Sequence, residues 1–380
     1  MESAEPFPEG PVEAPDLAQV VARSGPFLSV YLHTDPDVQK APQRSEQRWK
    51  TLRSELESSG APEQLLAEIE PELVEAHKHG RMLGFVTDGP GSSHVEHGGP
   101  SRPQDLGRFG PVPYLAPMLR WRQSSPPYIV VLIDRTGADI YAIHHGAPED
   151  VEEVKGKDFP ITKVGAGGWS QRRYQERAEN TWEQNAESVA EVVGRLAHRI
   201  GARFVAVSGD VRAISLLREV LPKDVQPLLR EVSGGRPHGR SGDPIPDEVD
   251  DLVTEFVDAQ SDAIAERLRE EIGQGDLGAE GTKSVVAALE RGQVEILLLA
   301  DDPDDESTLW IGAKPSEIAT SADELRELGL GVPVEARRLD AILRAALGAD
   351  ARIRIVEQES SPTDGVGALL RWKDEATPRA

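Results

Sequence analysis

The chain has 380 residues, 66 acidic against 42 Lys and Arg for a formal charge of -24, 38% apolar residues and no cysteine. That composition excludes disulfides, Cys-ligated zinc, iron-sulfur clusters and thiol catalysis, and its anionic field argues against general nucleic-acid affinity. With no apolar run of about 18 residues and no signal-peptide pattern, a cytoplasmic protein without membrane contacts is expected.

This length asks for more than one hydrophobic core. Three domains are expected, at 1–125, 126–245 and 246–380, of the α/β class. The N-terminal and middle domains should carry mixed sheets, and the C-terminal one an α/β/α sandwich. Residues 1–15 read as a disordered lead-in. A strand at 27–33, helices at 43–57 and 63–77 and a strand at 81–87 follow, and the Gly-, Pro- and Ser-rich stretch 88–127 predicts surface loops ending in a boundary. In the middle domain, 128–134 is a buried strand, 138–144 its hairpin partner and 204–208 a third strand. Between them Ala178, Trp182, Ala186, Val189, Val193, Leu196 and Ile200 recur at helical spacing, which predicts a long amphipathic helix with Ser170 as its N-cap. Pro246 opens a joining helix. From Thr282 onward the order is helix, strand (294–300), acidic loop, strand (309–312), helix, strand (332–336), helix, strand (353–357) and a closing strand at 367–372.

The segment 163–175 lies at the mouth of the long helix and holds no carboxylate, yet carries Lys163, Arg172 and Arg173. Gly165, Gly167 and Gly168 permit close backbone approach, and Trp169 and Tyr174 offer flat faces for stacking. With the positive end of the helix behind it, this reads as a mobile cationic tip suited to a constricted RNA site. A second basic loop at 234–242 carries Arg236 and Arg240, and reads equally as linker or RNA contact.

Other patterns take plainer readings. Residues 278–284 superficially resemble a phosphate-binding loop, but Thr282 intervenes before Lys283 and no strand is expected ahead of it, which leaves a helix-start turn. Asp301, Asp302, Asp304, Asp305 and Glu306 lack calcium-loop spacing and read as a solvated acidic turn. His77 with His79 and His144 with His145 are not spaced to share a helix face, so no metal is expected. No Gly-x-Ser-x-Gly elbow supports a serine hydrolase.

Gly167-Gly168-Trp169-Ser170, with Tyr174 and the helix after it, resembles the Gly-Gly-Gln loop and helix in the middle domain of archaeal and eukaryotic class 1 release factors and their Pelota-like relatives. Residues 281–298 are similar to that family's helix-then-strand entrance to the C-terminal domain, and 364–372 to its Gly-rich closing strand. The resemblance covers roughly 126–375. Residues 25–31 and 137–139 match an actinobacterial branch, whose bacterial members include relatives of the ribosome hibernation factor Balon. The departures matter. In release factors the glutamine after the two glycines orients the water that cleaves the peptidyl-tRNA ester, whereas Trp169 stands here, with a donor but no carbonyl acceptor. The Asn-Ile-Lys-Ser and Cys-containing stop-codon signatures are missing too.

The resemblance therefore implies a cofactor-free, monomeric factor that occupies the bacterial ribosomal aminoacyl site without reading codons. It would contact ribosomal RNA near the peptidyl transferase centre through Lys163, Gly165, Gly167, Gly168, Trp169, Ser170, Gln171, Arg172, Arg173, Tyr174, Arg236 and Arg240, with elongation factor Tu as a protein partner. No catalytic residue is expected in that reading. The alternative is a peptidyl-tRNA hydrolase in which Gln171 positions the water, as a displaced glutamine does in some Vms-type enzymes; Gln175 lies nearby.

Overall fold

The computed structural model describes residues 14–34, 41–76, 82–98, 105–134, 137–144, 147–155, 169–233, 248–300, 302, 304–357 and 361–374. The chain divides into two compact units, one spanning Ser125–Asp258 and the other combining Glu9–Ser124 with Ala259–Ala380. Among the described residues no helix is long and apolar enough to cross a membrane.

The N-terminal stretch opens with α1 (Pro15–Val21), where the sequence suggested a lead-in running to residue 15. Proline suits a first helical turn, whose N–H groups have no intrahelical partner, and Leu17, Val20 and Val21 are buried. β1 (Phe27–His33) is apolar almost throughout because both faces are covered: Phe27 and Tyr31 face one core, Leu28, Val30 and Leu32 another. α2 (Ala41–Ser58), α3 (Glu63–Ala67) and α4 (Glu70–Ala76) pack on the second face. The single helix expected at 63–77 is thus two, because Pro71 cannot sit in a helix interior. β2 (Met82–Thr87), β3 (His94–Gly98) and β4 (Leu106–Gly110) complete an antiparallel sheet in the order β3-β2-β1-β4. α5 (Ala116–Ser124) covers the first face with Met118, Leu119 and Trp121. The stretch expected to be surface loops, 88–127, therefore contains two strands and a buried helix; its glycines and prolines punctuate short elements.

The middle unit has a five-stranded sheet. β5 (Tyr128–Asp134) and β6 (Gly137–His144) form the expected hairpin, and β7 (Ala147–Lys155) adds an edge strand that the sequence reading lacked. α6 (Trp169–Ile200) leads to β8 (Phe204–Gly209), α7 (Val211–Val220) and β9 (Leu229–Glu231), giving the order β7-β6-β5-β8-β9 with β5, β8 and β9 parallel. α6 and α7 bury Val189, Val193, Leu196 and Leu217 against one face. The N-terminal half of α8 (Glu248–Gln274) lays Val249 and Phe256 on the other, where Tyr128 stacks on Phe204 at 4.9 Å. Gly209 is obligatory at the β8 end: φ is +143°, and a Cβ would lie 1.7 Å from the Ile133 carbonyl oxygen.

In the C-terminal stretch, β10 (Gly278–Glu280), α9 (Thr282–Glu290) and β11 (Val294–Ala300) precede β12 (Thr308–Ile311), β13 (Ile318–Ala319), α10 (Ala322–Glu327), β14 (Val334–Arg337), α11 (Arg338–Gly348), β15 (Arg352–Val356) and β16 (Val366–Leu370). The main sheet runs β10-β16-β11-β15, with only β11 and β15 parallel. α9 and α11 cover one face, and Ile264 and Leu268 of α8 the other, which is the expected α/β/α layering. β12 and β14 do not join that sheet; they form a separate antiparallel one, β13-β12-β14. The α/β character read from the sequence holds in every stretch, while the N-terminal sheet is wholly antiparallel.

Inside the second unit Tyr31 is a fastener. Its hydroxyl donates to the Tyr114 carbonyl at 2.5 Å, and its ring meets Tyr114 and Trp121 edge-on at 5.9 and 5.3 Å. Arg108 and Arg337 approach the Tyr114 ring at 4.9 and 5.3 Å.

Candidate nucleic-acid interface

α6 is 32 residues long, about 48 Å at 1.5 Å per residue. Among its described side chains, burial begins at Asn185 and Ala186 and continues through Val189, Ala190, Val193, Leu196 and Ala197. The helix backbone runs a further 16 residues, about 24 Å, ahead of Asn185. Charge follows the same division. Residues 169–181 hold three arginines against two glutamates, and residues 182–200 three glutamates against two arginines. No acid occupies the first turn. Helix N-termini favour carboxylates by about 0.3–1 kcal/mol each, so Arg172 and Arg173 there work against the helix's own stability. That pattern is what an external anion would reward.

Of the sequence-predicted residues, Trp169, Ser170, Gln171, Arg172, Arg173 and Tyr174 are the first six of α6. Ser170 is accordingly the second helical residue, which corrects its reading as the N-cap, since a cap residue has non-helical backbone. Gln171 likewise belongs to the helix. Lys163, Gly165, Gly167, Gly168, Arg236 and Arg240 lie outside the described residues, as do His77, His79 and His145.

Where α6 meets the sheet, the Arg212 guanidinium lies over the Trp182 ring at 5.2 Å. Asn185 is buried beside Asp134, whose Oδ1 accepts from the Gly137 N–H at 3.0 Å. A cavity of about 10 Å³ between Ile133, Asp134, Gly137, Trp182 and Asn185 has room for one water and no ligand. Trp182 was legible only as part of the apolar stripe; its pairing with Arg212 on α7 joins residues thirty apart and left no local signal.

The acidic turn is not simply solvated. Burial pushes the Asp305 carboxyl up, but Ser307 and the Arg338 guanidinium, at 2.7 Å, outweigh it and hold the group below its ordinary value. Arg337 donates to the carbonyls of Asp302 and Asp305. The 278–284 segment is β10 followed by the start of α9, with α8 and not a strand ahead of it, and the Thr282 N–H donates to Asp364 Oδ2 at 3.2 Å. Asp16, His94 and Glu96 bring ligand-type atoms within 4.8 Å of one another. The Arg122 guanidinium already bonds both carboxylates there, to Asp16 at 2.9 and 2.5 Å and to Glu96 at 2.6 Å, and supplies the countercharge.

The family profile for bacterial archaeo-eukaryotic release factor family 2 matches residues 127–274, the β5-to-α8 segment that carries the long helix. The uncharacterized proteins MT2704 and Rv2629, from two strains of Mycobacterium tuberculosis, are each 31% identical over 366 residues, covering 94% of this chain and 96% of theirs. The chain belongs to one family with these two proteins, and its residues 127–274 match bacterial archaeo-eukaryotic release factor family 2. Among solved structures, a chain of the ribosome-bound archaeal Pelota and ABCE1 assembly is similar at 15% identity and TM-score 0.37, covering 99% of both chains. Saccharomyces cerevisiae Dom34, a translation termination-like factor that interacts with Hbs1, is similar at 10% identity and TM-score 0.36, covering 79% of this chain and 77% of its own. Superposition is loose in both.

Proposed function

We propose that this protein is a release-factor-like translation factor that binds the bacterial ribosomal aminoacyl site and holds an inactive ribosome, without codon reading. The carrying observation is the start of α6: a helix of 32 residues with Arg172 and Arg173 near its positive end and no acid in its first turn, in a chain of charge -24. Lys163, Arg172 and Arg173 would neutralise ribosomal RNA phosphates, Trp169 and Tyr174 would stack on bases, and the glycines at 165, 167 and 168 would let the backbone enter a narrow cleft. Arg236 and Arg240 would add a second RNA contact. The three-domain division, the cytoplasmic location, the monomeric state and elongation factor Tu as partner belong to the same reading. So does the link to hibernation factors of the Balon type.

Binding is favoured over hydrolysis because Trp169 cannot accept a hydrogen bond from water, and Gln171 is fixed in a helical turn of α6 rather than in a loop. Co-sedimentation with vacant ribosomes tests the assignment. The Arg172→Glu, Arg173→Glu double variant should lose binding at moderate salt, and removing two phosphate contacts should lower the slope of log K against log salt by about 1.4 to 1.8. Unchanged binding and slope would refute it. Peptide release from stalled ribosomes that disappears in Gln171→Ala, with binding retained, would turn the conclusion toward the hydrolase.

A further inference from the structure

Along α6 the basic start and the packed body meet at Trp182. Among the described side chains of the helix it is the one nearest the start, three residues ahead of Asn185, and it is half-buried. The helix backbone continues for 13 residues ahead of it, to Trp169, about 20 Å at 1.5 Å per residue. A rod of that length is a lever: a tilt of about 10° at Trp182 carries the far end through about 3 Å, a whole hydrogen-bond length. Phosphate contacts from Arg172 and Arg173 therefore depend on what holds the ring.

Close packing does not hold it on every side. The cavity of about 10 Å³ between Ile133, Asp134, Gly137 and Asn185 lies against the ring, and a void takes contacts away from the side chains that line it. The Arg212 guanidinium lies over the ring, 5.2 Å from its centroid, within the range at which a cation is attracted to the face of an indole.

Arg212 is itself well anchored. Next to Gly209 the Asp210 N–H donates to the Ile133 carbonyl at 3.1 Å, which ties the start of α7 to the end of β5. Asp210 then caps α7, its Oδ1 accepting from the N–H groups of Arg212 at 3.0 Å and Ala213 at 3.2 Å. A short, hydrogen-bonded connection thus runs from the end of β5 through the cap to the ring on α6. The first turn of α7 is also the place where a cation is least favourable to the helix that carries it, and no acid stands within that turn. α7 gains nothing from an arginine at this position; Trp182 does.

We infer that Arg212 is a positioning residue for the RNA-binding start of α6: by holding the Trp182 ring it sets the direction of the helix, and so where Arg172 and Arg173 reach. This role presupposes the ribosome-binding function proposed for that segment. Binding constellations work only within roughly 0.5 Å and 10–20° of their productive geometry, a tolerance that the tilt worked out above already exhausts.

The chain has no cysteine, so labels attach only where one is introduced. Spin labels on Ser170→Cys and Glu219→Cys report the direction of the helix start against α7 through their dipolar distance. Arg212→Gln should shift or broaden that distance by about 3 Å. In label-free protein the same substitution should weaken binding to vacant ribosomes by about fivefold or more at moderate salt, while the thermal midpoint of the middle unit falls by no more than about 4 °C. Arg212→Lys keeps a cation for the ring and should bring both distance and binding back toward the parent values. Three results overturn the inference: an unchanged distance in Arg212→Gln, weakened binding at an unchanged distance, which would make Arg212 a direct RNA contact, or a lysine variant that behaves as the glutamine one does. A parent protein that does not bind ribosomes sinks the proposed function alone, because the distance measurement contains no ribosome and still decides whether Arg212 directs the helix.

Discussion

Replacing Asp16 with asparagine isolates the clasp that holds α1. Arg122 bonds both Asp16 oxygens and reaches Glu96, itself within 2.9 Å of His94 Nε2. These hydrogen bonds, foremost those from Arg122, bring the Asp16 carboxyl down from 3.8 to about 2. At about 1.4 kcal/mol per pH unit the difference corresponds to roughly 2.5 kcal/mol. The Asp16 side chain is 46% exposed, so solvent screening reduces the expected contribution to about 1 kcal/mol. Because the folded-state value is depressed, the contribution is complete above the unfolded carboxylate range and lost as pH falls through about 2; near pH 3 about half remains. Multi-domain chains rarely unfold in two states, so a local readout is needed. Native-state hydrogen exchange of the α1 amides in Asp16→Asn should run about fivefold faster than in the parent protein at pH 7, with the ratio shrinking below pH 4. Equal exchange at pH 7, or a ratio that does not change on acidification, would refute the reasoning.

Two other substitutions probe the frames around the sites. Gly209→Ala forces a Cβ onto the Ile133 carbonyl at a positive φ, and should destabilise the middle unit by more than about 3 kcal/mol, seen as loss of its calorimetric transition. Tyr31→Phe leaves the buried Tyr114 carbonyl without its hydroxyl donor, and should lower the urea midpoint of the second unit by the equivalent of about 1–3 kcal/mol.

The strongest sequence signals came from elements whose side chains alone report burial. β5 is an unbroken apolar run because helices cover both of its faces, and α6 shows its stripe because one face meets a sheet. β7 gives no such signal for the opposite reason: its four acids and two valines, three positions apart, lie on an edge strand held by main-chain bonds to β6. In 88–127 the glycine and proline density signals loop, yet Val112, Tyr114, Leu115, Met118 and Leu119 form part of the core. Within the candidate interface, the basic, glycine-rich composition and the helix behind it were legible. The Trp182–Arg212 pairing was not, because it joins residues far apart in the chain.

The chain leaves one unit at Ser124 and returns to it at Ala259, while everything between them belongs to the other. On α1, Leu17, Val20 and Val21 share a core with Leu339, Ile342 and Leu343 of α11, over 300 positions downstream. At translation rates of about 5–20 residues per second, that partner emerges roughly 15 to 60 s later. The contiguous middle unit is therefore free to close first, and the apolar ridge of α1 must remain shielded by other means until the last third of the protein has been made.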